Sequence, residues 1–107
     1  MDKYTILLVD DEEEVIQAII RKINWEELGF SVVGYADNGI KALEMIEESQ
    51  PDVVMTDIKM PYMDGMELCS HIRREYPAMK IVLFNFVNIL INSTELTGFK
   101  IYSSTSR

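Results

Sequence analysis

Two spacings of apolar residues alternate along the first 84 positions of the chain. Short runs rich in branched side chains fall at Thr5–Val9, Phe30–Tyr35, Asp52–Thr56 and Lys80–Phe84. Such runs predict strands buried on both faces of a parallel sheet. Between them the spacing is helical. Val15, Ile16, Ile19, Ile20 and Ile23 make one helix face, Ile40, Leu43 and Ile46 a second, and Leu68, Cys69 and Ile72 a third. Asn38-Gly39 marks a turn into the second of these helices, and Pro51 halts the chain before the third strand. Asp64-Gly65 opens the third helix and Pro77 closes it. Strands alternating with helices through short connections predict an α/β domain with right-handed crossovers.

A chain of 107 residues suits one domain and not two. Its net charge of −8 argues against sequence-independent nucleic-acid binding, which needs clustered Lys and Arg to displace counterions. That charge suits carboxylates gathered for a cation, and equally a plain acidic surface. Cys69 is the single cysteine, so no intrachain disulfide can form, which fits a reducing compartment. Behind the first residues the apolar run Ile6–Val9 is too short for a signal peptide or a membrane span. The expectation is a cytoplasmic protein with no membrane contact.

In an open parallel sheet, ligands bind outside the carboxyl ends of the strands. Here Ile6–Val9 runs into Asp10 and Asp11, and Asp52–Thr56 runs into Asp57. A strand order such as 2-1-3-4 would make these ends neighbours. Like charges that close raise one another's pKa unless a cation sits among them. An oxygen-only ligand set with open positions suits Mg²⁺. Glu12, Glu13 and Glu14 are explained by a helix N-terminus collecting acids against its dipole. Asp10 and Asp11 fit that explanation less well.

These residues carry a resemblance. Leu7-Leu8-Val9-Asp10-Asp11-Glu12, followed by Asp57-Ile58-Lys59-Met60-Pro61-Tyr62-Met63-Asp64-Gly65, resembles the receiver-domain signature of two-component response regulators, over about residues 3 to 84. Asn24-Trp25-Glu26-Glu27-Leu28-Gly29-Phe30 is similar to receivers attached to AraC-type DNA-binding domains. The resemblance implies a flavodoxin-like three-layer α/β sandwich with Asp57 as the phosphoacceptor. It also implies Asp11 and Asp57 as direct Mg²⁺ ligands, Asp10 as a supporting acid often acting through water, and the backbone carbonyl of Lys59 as the remaining protein ligand. The donor implied is a phosphohistidine on a sensor histidine kinase. The signal would pass to an output domain, of the DNA-binding kind, outside this chain, which would itself touch no nucleic acid. The chemistry is coherent, with a carboxylate nucleophile attacking phosphorus and a metal offsetting charge on the phosphoryl oxygens.

Other residues read as structural. His71 is expected to face solvent in mid-helix beside Arg73 and Arg74, Cys69 to fill core, and Trp25 to pack the exit of the first helix. Pro61 is expected to stiffen its loop and Gly65 to permit a tight turn.

After Phe84 the resemblance fails. Asn85 stands near the position where a receiver carries a switch Ser or Thr, and no Lys-Pro occurs anywhere in the chain. Asn92–Thr97 looks like the start of a final helix, which leaves Ile89–Ile91 as a remnant of the fifth strand and the fourth helix missing. Parallel neighbours need a crossover of about a dozen residues, and only Asn85–Asn88 intervene. Three arrangements stay open: one long strand over Lys80–Ile91, a tight hairpin that turns the last strand antiparallel, or segment exchange between chains in a homodimer. Residues Tyr102–Arg107 are polar and expected to fray. The whole, 1–107, is read as one receiver domain, irregular or incomplete after its fourth strand. The alternative is a receiver-derived interaction module that no longer signals by phosphate. An aspartyl-phosphate phosphatase is disfavoured, because Lys59 stands where such enzymes place a second Asp.

Overall fold

The computed structural model describes residues 3–86 and 99–104. Strand β1 (Tyr4–Val9) leads into helix α1 (Glu13–Lys22), a short helix α2 (Trp25–Leu28) and strand β2 (Phe30–Ala36). Helix α3 (Gly39–Ser49), strand β3 (Val53–Asp57), helix α4 (Gly65–Glu75) and strand β4 (Lys80–Phe86) follow. Strand β5 (Phe99–Ser104) ends the described chain. The sheet order is β2-β1-β3-β4-β5, the flavodoxin-like arrangement, and its first four strands are parallel.

Helices cover both faces of the sheet, giving three layers and two apolar clusters. On one side Leu7, Val9, Val54, Ile81 and Leu83 meet Ala42 and Ile46 of α3 and Leu68, Cys69 and Ile72 of α4. On the other, Ile6, Leu8, Met55 and Phe84 meet Val15, Ile16 and Ile19 of α1. Alternate side chains of one strand therefore reach opposite cores, which is why the central strands contain no polar alternation. Cys69 lies in the core as expected.

The elements differ from those expected in four respects. The buried face of α3 is Gly39, Ala42 and Ile46, whereas Ile40 is 52% exposed. Counting only large apolar residues misses the small ones, and it is these that let α3 approach closely. A Cβ on Gly39 would come within 2.6 Å of the Met63 carbonyl oxygen. Secondly, β2 is not buried on both faces. It is a sheet edge, its register slips by one residue at Val33, and Val33 and Tyr35 are exposed. Thirdly, a four-residue helix, α2, interrupts the passage from α1 to β2. Four residues show no period, but the caps are legible: the Asn24 side chain accepts from Glu27 N at 3.2 Å, and Gly29 ends the turn at φ +86°. Trp25 lies in this helix, edge-on to Phe30 at 6.2 Å between ring centroids, and packs against the α1 cluster.

The fourth difference concerns the end of the chain. Tyr102–Ser104 do not fray but belong to β5, which pairs antiparallel with β4 from Ile81↔Ser104 to Phe86↔Phe99. An antiparallel neighbour needs no crossover helix, so the difficulty with a parallel last strand disappears. The connection between the two strands, residues 87–98, lies outside the described residues, and so do the readings of a tight hairpin and of one long strand over Lys80–Ile91. The readings of Ile89–Ile91, of Asn92–Thr97 and of the missing fourth helix lie outside the described residues.

The start of α4 is fixed by a reciprocal cap. Asp64 Oδ1 accepts from Glu67 N at 2.9 Å, and Glu67 Oε1 accepts from Asp64 N at 3.3 Å. Asp64→Ala is expected to cost about 1 kcal/mol in chemical denaturation, with no loss of the sheet. An unchanged midpoint would show that the cap contributes nothing.

Candidate metal centre

The site forms where β1 and β3 end side by side. Val9 pairs with Thr56, so the residues that follow them, Asp10 and Asp57, emerge together at the carboxyl edge. Asp10 is held there by its own N–H, which donates to Ala36 O of β2 at 3.0 Å. Asp10, Asp11 and Asp57 each offer an oxygen to one point, all within 4.8 Å of one another. The three acids expected to converge do so.

Their environments differ. Asp11 is exposed, Asp57 half-buried and Asp10 only 1% exposed. Burial pushes the Asp10 carboxyl up to about 8, partly offset by the Glu12 N–H that donates to Oδ1 at 2.8 Å, with the charges of Asp57, Asp11 and Glu12 pushing further up. Burial also lifts Asp57, to about 6. The Ile58 N–H donates to its Oδ1 at 2.8 Å and opposes the shift, the Asp11 charge adds to it, the Lys59 N–H opposes it, and Glu12 adds to it. The remaining oxygen of Asp10, Oδ2, is buried and accepts no hydrogen bond. A buried carboxylate oxygen without a donor is costly unless a cation satisfies it. The donor set, carboxylate oxygens with a supply of negative charge, fits a hard divalent ion. Lys59 reaches the cluster through its backbone, while its side chain is exposed.

A closed loop follows Asp57. Ile58 N donates to Phe84 O at 3.1 Å, and Gly65 N returns to Ile58 O at 2.7 Å. Gly65 does not have a positive φ. Its lack of a side chain serves a close approach, because a Cβ there would collide with the carbonyl oxygen of Asp57. This corrects the expectation of a tight turn. Tyr62, in the same loop, has φ +70° and is 84% exposed. A tyrosine carries no sequence signal for left-handed backbone. His71 lies on α4 with its Nδ1 3.3 Å from Arg74 and takes no part in the site.

Known proteins share this fold. A family model described as the response regulator receiver domain matches residues 6–90. An uncharacterized transcriptional regulatory protein of Bacillus subtilis, YesN, is 42% identical over 82 residues, 77% of this chain and 22% of that protein. A protein-glutamate methylesterase/protein-glutamine glutaminase of Hahella chejuensis is 45% identical over 78 residues, 73% of this chain and 22% of that protein. Among solved structures, the REC domain of AraT, a response regulator from Geobacillus stearothermophilus, superposes with a TM-score of 0.74 at 29% identity, covering 84% of this chain and 70% of that one. A two component transcriptional regulator AraC from Clostridium phytofermentans gives 0.73 at 35% identity, covering 82% and 71%. The chain thus spans about a fifth of the length of these curated relatives. Among the described residues no helix is long and apolar enough to cross a membrane.

Proposed function

This chain belongs to the response regulator receiver domain family, and from that premise we propose that Asp57 accepts a phosphoryl group from a sensor histidine kinase. The observation that carries the reading is the convergence of Asp10, Asp11 and Asp57 at the ends of β1 and β3. One carboxylate oxygen of Asp57 attacks phosphorus, and the new O–P bond forms as the P–N bond to the donor histidine breaks. The electron pair of that bond leaves with the histidine nitrogen. The Ile58 N–H holds Asp57 Oδ1, and the Lys59 N–H also donates to the carboxylate, so the nucleophile is oriented before the donor arrives. Asp10, Asp11, Asp57 and the Lys59 carbonyl would hold Mg²⁺, which would offset the charge on the phosphoryl oxygens.

The whole chain, 1–107, serves as one receiver domain in a signalling role, and its own phosphorylation is its only chemistry. The methylesterase named among its relatives is a far longer protein, of which the chain matches 22%. The output domain would be DNA-binding, in keeping with the transcriptional regulators it resembles, and the setting cytoplasmic. Pairing or exchange of the edge strand β5 between copies would give a homodimer.

Acetyl phosphate with Mg²⁺ is expected to place an acid-stable, hydroxylamine-labile label on the chain. Asp57→Asn and chelation of Mg²⁺ should each abolish it. An unlabelled native chain, or equal labelling of Asp57→Asn, would sink the reading. One sequence feature favours a second reading, the interaction module that works without phosphate: the chain contains no Lys-Pro, the lysine of which would meet the phosphoryl group. Such a module would bind its partner equally with and without phosphodonor.

A further inference from the structure

The loop between Asp57 and Gly65 has a feature that phosphoryl acceptance does not use. Both its ends are pinned at the acceptor, by the Gly65 N–H on Ile58 O and the packing of Gly65 on the Asp57 carbonyl. Its tip therefore cannot stray far from Asp57. There Met63 N donates to Pro61 O at 2.8 Å, closing a three-residue turn around Tyr62. The φ of +70° at Tyr62 is one that a tyrosine rarely adopts and a glycine adopts freely. The side chain that this strained position carries is not buried, being 84% exposed. Strain at an exposed aromatic residue beside a reactive group points to a contact made outside the chain.

The surroundings say what kind of contact. Met66, in the first turn of α4, and Ile40, at the start of α3, are also exposed, 55% and 52%. The close packing of Gly39 on Met63 brings the start of α3 to this loop. On the β1 side of the site stand the exposed acids Asp11, Glu12 and Glu13. The acceptor thus has exposed apolar side chains and the exposed Lys59 on its loop side and exposed acids on its β1 side.

Building on the reading of Asp57 as acceptor, the geometry points to Tyr62 as the anchor on which a phosphodonor protein docks, apolar where it meets Tyr62 and Met66 and basic where it meets the acids. A tyrosine supplies a large, rigid contact of the kind that dominates interface energetics. The acids opposite supply long-range attraction that salt screens. A small donor needs neither and reaches Asp57 unaided.

The test compares two donors on one set of variants. Acetyl phosphate serves as the small donor, and a panel of phosphohistidine-bearing sensor kinase cores as the protein donors. Tyr62→Ala is expected to slow transfer from the protein donor by about 30-fold and to leave labelling by acetyl phosphate within about twofold. Tyr62→Gly, which relieves the positive φ and cannot be blamed on a failed fold, should show the same split. Tyr62→Phe should retain transfer, and added salt should slow the protein donor alone. Equal losses with both donors would overturn the proposal, because Tyr62 would then act on the acceptor itself. Unchanged transfer from both would overturn it too, as would labelling by acetyl phosphate with no transfer from any kinase core. A native chain that acetyl phosphate fails to label refutes the Asp57 reading instead, and the docking proposal falls with it.

Discussion

Gly65→Ala is expected to destabilise the chain by about 3 kcal/mol and to disable the acceptor at the same time. The added Cβ would collide with the Asp57 carbonyl oxygen and lie within 2.9 Å of Ile58 Cα and 3.0 Å of the Asp57 carbonyl carbon. All three are backbone atoms of the strand end that carries the nucleophile. No rotamer change can relieve the clash, so the loop must lift and lose the 2.7 Å bond from Gly65 N to Ile58 O. Gly34→Ala is the control. Its Cβ would meet chiefly the terminal methyl of Met45 at 2.8 Å, the far end of a flexible side chain. The cost there should stay below about 1 kcal/mol. Urea denaturation of both variants, read beside labelling by acetyl phosphate, separates the two cases. Equal costs at the two glycines would show that close approach at Gly65 is not what holds the loop.

The second large effect is electrostatic. Buried Asp10 has a pKa of about 8 in the fold against an ordinary value of 3.8. A carboxyl whose pKa is raised on folding binds its proton more tightly in the native state, so its contribution is fully present below about pH 4 and is lost as pH rises through about 8. In metal-free buffer, then, stability should fall between about pH 5 and pH 8. Asp10→Asn keeps an acceptor for the Glu12 N–H and removes the buried charge. The variant should be more stable than the native chain at about pH 8, by about 1–3 kcal/mol. Mg²⁺ should reverse the ranking, since an ion that binds only the folded state stabilises it by mass action. Thermal melts at the two pH values, with and without Mg²⁺, test this. Equal stabilisation of both proteins by Mg²⁺ would remove Asp10 from the metal centre.

Much of this was legible in the sequence, for physical reasons that differ by element. The central strands and α1 announce themselves because their apolar side chains are large and face two cores. Asp10, Asp11 and Asp57 were legible because acids directly after buried runs have few structural explanations. The face of α3 was misjudged because Gly39 and Ala42 contribute contact through their smallness, which hydrophobic spacing does not register. The exposed face of β2 was missed because a strand's own residues do not state whether it lies at a sheet edge. Register and partner decide that, as they decide the direction of β5. Tyr62 was invisible because a left-handed φ at tyrosine follows from how the loop closes on Asp57 and not from the residue itself.

Reduction of the phosphorylated chain with borohydride tests the central claim most directly, because it converts an aspartyl phosphate to homoserine at the residue that carried it. After treatment with acetyl phosphate and Mg²⁺, peptide sequencing should find homoserine at position 57 and aspartate at positions 10 and 11. Aspartate still at 57, whether the label sits elsewhere or nowhere, would contradict the account.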